Sequence, residues 1–136
     1  MGNNHTHEGG CQCGRIRYQV RGTPNNTTTC HCTQCRMAAG AAFVTWSEFP
    51  AEMVTFTNER PQFYHSSDAA ERGFCPSCGT TLTFCYLDGA DIDISTATLD
   101  DPGVFPPQDH LWVDSKISWQ PINDGLPQYP RRRGSD

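Results

Sequence analysis

Seven of the chain's eight cysteines fall into three tight clusters: Cys11 and Cys13, then Cys30, Cys32 and Cys35, then Cys75 and Cys78. No apolar pattern in the sequence constrains the fold as strongly. Thiols spaced by one or two residues can clasp a single soft divalent ion, and zinc is the ion such knuckles bind. The outer two pairs, Cys11, Cys13, Cys75 and Cys78, can close a four-thiolate site. About 60 residues separate them, but the entropy of closing a loop grows only with the logarithm of its length. A glycine follows each pair, Gly14 and Gly79, which suits a turn whose backbone amides point at sulfur. The middle cluster, Cys30, Cys32 and Cys35, supplies three thiolates from one short segment and leaves a fourth coordination position free. Closed zinc sites are structural, whereas a site with an open position can take up a ligand. The sequence therefore predicts two zinc ions, one of each kind.

At 136 residues the chain has room for one domain. With 36% hydrophobic residues its core is sparse enough to gain from a metal staple. The formal net charge of −5 makes nucleic acid a poor general partner. The basic run at 131–133 reads as part of a solvated C-terminal tail, 131–136. Residues 1–8 read as a flexible terminus in which His5 and His7 are passive. No stretch reaches the roughly 20 apolar residues that a membrane span needs, and the first residues lack the apolar centre of a signal peptide. The expected setting is the cytoplasm, where cysteines stay reduced and free for metal. The even cysteine count permits a disulfide framework instead, but Cys-x-Cys pairs close only as strained rings.

Residues 9–130 read as one mainly β domain. The stretch 15–21 alternates strictly, with Ile16, Tyr18 and Val20 on one face. Short strands are expected at 42–46 and 53–57, around a turn at Pro50, and again at 63–65 and 110–113, while 71–74 leads into the third cysteine cluster. The clearest pair is 80–86 and 91–96, a hairpin joined through Asp88 and Gly89. The stretch 36–40 reads as a helical turn stopped by Gly40. Residues 23–29 read as a polar link, 98–108 as a proline-rich loop, and the chain after Trp119 as coil wrapping the body.

Further residues are candidates for chemistry. Arg36 directly follows the last thiol of the middle cluster. A guanidinium there could hold a substrate carboxylate, or simply offset the thiolates. His110 is a candidate acid/base or ligand near the open site, or else a structural histidine. His31 sits between two thiols and should point away from their ion. Cys85, between two aromatics in a strand, reads as a small buried hydrophobe. Trp46, Trp112 and Trp119 are expected in the core or at its rim.

Taken with their neighbours, the clusters form the motifs GGCQCGRIRY, CHCTQCR, FCPSCGTTL and HLWVDSKISW…DGLPQYP. In this order they resemble the glutathione-dependent formaldehyde-activating enzyme family, which includes the centromere protein V group. The resemblance spans residues 9–130. It implies a β-tent fold like that of methionine sulfoxide reductase B. It implies a structural zinc on Cys11, Cys13, Cys75 and Cys78, and a second zinc, tied to the chemistry, on Cys30, Cys32 and Cys35. It further implies a carbon–sulfur lyase whose named reaction joins glutathione and formaldehyde into S-hydroxymethylglutathione. The partners would then be a small thiol and an aldehyde.

No glutathione-binding motif stands out in the sequence. Three function classes stay open: a lyase whose substrate thiol ligates the open zinc, a non-catalytic zinc module that displays a surface, and a thiol or metal sensor. An enzyme should carry a concave site over the middle cluster, and a display module a flat one.

Overall fold

A computed structural model describes residues 5–136, and it is mainly β with a single short α-helix and four short 3-10 turns among those residues. Strands β1 (Thr6–Gly10), β2 (Arg17–Arg21) and β5 (Val54–Phe56) form a small sheet in the order β1-β2-β5. The large sheet is built from β3 (Asn26–Cys30), β4 (Val44–Pro50), β6 (Gln62–His65), β7 (Ala70–Phe74), β8 (Thr81–Tyr86), β9 (Asp91–Ser95) and β10 (His110–Leu111). Its order is β10-β3-β4-β9-β8-β7-β6. Helix α1 (Thr33–Ala39) joins β3 to β4 and stops at Gly40, whose φ of 62° is left-handed. Only β10 runs parallel to its partner, β3, and the long connection after β9 supplies the crossover that parallel pairing needs.

Two apolar clusters hold the sheets. Tyr18 and Val20 of the small sheet, with Ile16 just before it, pack with Phe49, Leu82 and Ile94 of the large one. The Tyr18 hydroxyl, buried with its ring, meets Thr98 Oγ1 at 2.7 Å, as a buried phenol requires. Val44 and Trp46 form the second cluster, with Phe84 and Trp112 against it. Cys11 and Cys75 belong to the first cluster, Cys30 and Cys35 to the second. Each cysteine group is thus seated at the edge of a packed core.

Three expectations are corrected. The stretch read as a polar link contains β3, an inner strand of the large sheet between β10 and β4. Its threonines are buried, and their hydroxyls are satisfied across the strands: Thr27 with Ser47 and Thr29 with Thr45, both at 2.9 Å. A β-branched side chain suits a strand, and a paired hydroxyl removes the cost of burying it. The terminus read as flexible over 1–8 contains the start of β1, which pairs His7 with Val20 and Glu8 with Gln19. Residues 1–4 of that expectation lie outside the described residues.

The third correction concerns the basic end, 131–136. The Arg131 carbonyl accepts from the Trp112 amide at 2.9 Å. Arg133 forks onto the buried Asp109, Nε to Oδ2 at 2.6 Å and Nη2 to Oδ1 at 3.2 Å. A buried carboxylate needs such a partner, so Arg133 is drawn onto the body. No helix among the described residues is long and apolar enough to cross a membrane.

Candidate functional site

The sulfurs of Cys11, Cys13, Cys75 and Cys78 lie within 4.8 Å of one another. Cys13 Sγ is 3.6 Å from Cys11 Sγ and 3.7 Å from Cys75 Sγ. Four sulfurs set tetrahedrally about zinc at ~2.3 Å stand ~3.8 Å apart, and all eight cysteines are free thiols. Backbone amides close on the sulfurs: Ile16 N on Cys11 at 3.2 Å, and Ser77 N and Cys78 N on Cys75 at 3.3 and 3.4 Å. Gly14 and Gly79 turn the two knuckles at φ of 84° and 79°, a conformation that side chains disfavour. Hydrogen bonds from Thr80, first from its hydroxyl and then from its backbone, pull the Cys78 thiol down to about 5. Spacing and donors fit a closed zinc site.

The second group is assembled by a strand end and a helix start. Cys30 closes β3, Cys32 caps α1 with its sulfur accepting from Cys35 N at 3.3 Å, and Cys35 sits in the first turn. Their three sulfurs again lie within 4.8 Å of one another. Hydrogen bonds from Cys30, then Cys35, hold the Cys32 thiol down at about 2, and the same bonds push Cys30 up. The group therefore holds anionic sulfur at neutral pH. Arg72, on β7 and 7% exposed, faces it with both Nη1 and Nη2 at 3.6 Å from Cys35 Sγ. The guanidinium also stacks on Phe84, 4.8 Å from the ring centre. Three thiols beside a buried cation fit a zinc ion with one position left open.

This group opens into a cavity of about 570 Å³. Strand alternation chooses the floor, because every second residue faces the same side. Asn26, Glu48, Asp93, Phe84 and Arg72 stand level with one another across β3, β4, β9, β8 and β7, and all five line the cavity. Trp46 and Trp112 complete the apolar wall beside the thiols.

Alternation also explains where His110 goes. Leu111 stands level with Cys30 and lines the cavity, while His110 stands level with Thr29 and takes the other face. There its Nε2 donates to Asp124 Oδ2 at 2.7 Å and its Nδ1 meets His31 Nε2 at 2.8 Å. His31 is held neutral, lowered to about 4 first by burial and then by His110. Arg36 reaches Thr33 Oγ1 at 3.3 Å and borders a separate hollow with Met37 and Trp119.

The structure thus gathers the seven cysteines into two groups and brings neither His110 nor Arg36 into the cavity. Cys85 is half-buried on the face away from the cavity, its sulfur 3.8 Å from Glu71 Oε1. Trp119 is 71% exposed, neither core nor rim. Sequence reasoning missed Arg72 and Asp93. Their signal was the period-two pattern of β7, β8 and β9, which places Arg72, Phe84 and Asp93 on one face.

A family profile described as "Glutathione-dependent formaldehyde-activating enzyme" matches residues 6–115. A protein of Schizosaccharomyces pombe, named an uncharacterized lyase, is 37% identical over 83 residues. That match spans 61% of this chain and 60% of the relative's own length. A crystal structure of a Rhodobacter sphaeroides protein aligns with a TM-score of 0.58 at 19% identity, covering 68% of this chain and 87% of that one. At that identity the likeness speaks for the fold alone. The profile takes in all three cysteine clusters and both sheets that carry them, and on that match the chain belongs to the glutathione-dependent formaldehyde-activating enzyme family.

Proposed function

We propose that the chain is a carbon–sulfur lyase acting on a thiol–aldehyde adduct of the S-hydroxymethylglutathione type. The observation that carries this is the placing of Cys30, Cys32 and Cys35 at one wall of a concave, partly open cavity. Its volume falls in the range of about 300–1,000 Å³ typical of small-molecule sites. Zinc held by those three cysteines would offer its remaining position to a substrate sulfur and favour the thiolate near neutral pH.

The chain's own residues shape the rest. The Arg72 guanidinium offsets negative charge at Cys35, so a further anionic sulfur is less strongly repelled. Trp46, Phe84 and Trp112 keep the thiol end apolar, which strengthens charge interactions there. In the lyase direction the adduct hydroxyl loses its proton to solvent, and its C–O bond becomes the carbonyl of the aldehyde. The electron pair of the C–S bond returns to sulfur, which leaves as thiolate. The reverse direction joins thiolate to the aldehyde carbon, and the resulting alkoxide takes up a proton. A reducing compartment such as the cytoplasm would keep both thiol groups competent.

Two measurements test this. Reduced protein should hold up to two zinc ions, and a chromophoric chelator should remove one at least about tenfold faster than the other, because a four-thiolate cage encloses its ion and an open site does not. Equal release rates would remove the distinction between the sites. The second measurement is cobalt substitution at the Cys30, Cys32 and Cys35 group. Adding glutathione should change the thiolate-to-cobalt absorption as a fourth sulfur joins. If cobalt is shown to sit there and its spectrum ignores every small thiol, the lyase reading fails. A response to another thiol alone would keep the chemistry and discard glutathione.

A further inference from the structure

A strand turns successive side chains to opposite faces, so the residue after Leu111 should leave the cavity. It does not: Leu111 and Trp112 both line it. The cause is the Trp112 backbone, at φ 59° and ψ 40°. This left-handed conformation breaks the alternation and keeps the ring on the side of the three-cysteine group, against which it packs. Trp112 is the one non-glycine residue with positive φ among the described residues. A bulky side chain disfavours that conformation, which glycine adopts freely. Backbone held in such a region at a cavity wall points to a use for the side chain it carries.

The end of the chain holds it there. The Trp112 amide donates to the Arg131 carbonyl at 2.9 Å, and the Trp112 carbonyl accepts from the Ser115 amide at 3.0 Å. The Val113 and Asp114 amides donate to the Tyr129 and Pro130 carbonyls, both at 3.1 Å. Just before, the His110 amide donates to the Pro127 carbonyl and the Tyr129 amide to the His110 carbonyl, both at 2.9 Å. The fork of Arg133 onto Asp109 anchors the far end. Residues 127–133 are thus a clamp that sets one ring.

That ring has surface to offer. Trp46, at 4% exposed, is already covered, whereas Trp112 is half-buried and lines the cavity. The adduct of formaldehyde carries only a hydroxymethyl group on its sulfur. Such a group is small and polar and gains little from an aromatic face.

We propose that Trp112 is a specificity-determining residue whose ring receives an apolar group borne by the carbon bonded to the substrate sulfur. The substrate class is then the adduct of a thiol with an apolar alkyl or aryl aldehyde. This rests on the lyase reading above and names the aldehyde side of its substrate. The bond changes are those already given: the C–S pair returns to sulfur, the hydroxyl proton leaves, and the apolar aldehyde is released.

The test compares two primary alkyl thiols on protein with cobalt at the Cys30, Cys32 and Cys35 group, read by absorption. Phenylmethanethiol puts an aryl group on the carbon next to sulfur, and 2-mercaptoethanol puts a hydroxymethyl group there. Wild-type protein should bind phenylmethanethiol at least about tenfold more tightly. Trp112→Gly removes the ring and suits the left-handed backbone, and it should cut that ratio at least about fivefold. Equal wild-type binding of the two thiols overturns the assignment and leaves the lyase reading standing. So does a Trp112→Gly protein that keeps the ratio, including one that weakens both thiols alike, as a merely structural ring would. Failure of every thiol to perturb the cobalt spectrum overturns the lyase reading and this assignment with it. The wild-type comparison needs no variant, so a folding defect in Trp112→Gly cannot shield the proposal.

Discussion

Cys75→Ser should leave the chain unfolded or aggregated, with no cooperative thermal transition by circular dichroism. Cys75 is fully buried in the main core, and its sulfur takes the Ser77 and Cys78 amides. The four-cysteine group brings the segment before β2 against the turn between β7 and β8, so an ion held there would link the small sheet to the large one. Structural zinc in small domains contributes about 10–16 kcal/mol of apparent binding energy at neutral pH. The whole stability of a domain is about 5–15 kcal/mol. A hydroxyl in place of one thiolate weakens the ion's grip and leaves a polar group in an apolar core. The first term alone is comparable to the fold's entire margin. A Cys75→Ser protein that melts cooperatively within a few degrees of wild type would show that the sheets hold together without the metal.

The two cysteine groups were legible in the sequence because local spacing fixes them. A Cys-x-Cys or Cys-x-x-Cys pair presents its sulfurs to one point whatever the rest of the chain does. The strands around Tyr18 and Val20, and the hairpin of β8 and β9, were legible for the same kind of reason, since alternation and turn residues are local. What escaped was set by partners far away in sequence. The threonines of β3 look like a linker until Ser47, Thr45 and Asp109 supply their hydrogen bonds.

His110 looks like an acid/base candidate until the parallel pairing of β10 with β3 turns it to the far face. Arg36 is adjacent to the open group in sequence, yet Arg72, 37 residues from Cys35, is the cation that touches it. A helix side chain next to a ligand points away from that ligand's ion. A strand side chain from across the sheet can point straight at it. Sequence neighbourhood was therefore the wrong guide to the cavity, and level position across strands was the right one.

Cys32→Ser should give the opposite outcome to Cys75→Ser: a folded protein that no longer binds a thiol at the open group and has lost at least about 10³-fold in turnover, as the loss of a principal catalytic group does. Cys32 is half-buried, and its sulfur caps α1 by accepting from Cys35 N. Serine is among the preferred residues at that position, so the helix keeps its cap. The strands on either side stay paired through Cys30 with Val44 and Thr29 with Thr45, and Arg72 keeps its contact with Cys35.

The melting temperature should fall by no more than about 8 °C, the shift expected for a loss of 1–2 kcal/mol in a domain of this size. Cys35→Ser should fall further while still folding, because it removes the sulfur that the buried Arg72 guanidinium faces, and an unpaired buried charge is costly. The order of melting points should therefore be wild type, Cys32→Ser, Cys35→Ser, with Cys75→Ser showing no transition. If Cys32→Ser instead collapses as completely as Cys75→Ser, the three-cysteine group is a structural staple like the first. The cavity over it would then have no open coordination position to offer a substrate sulfur.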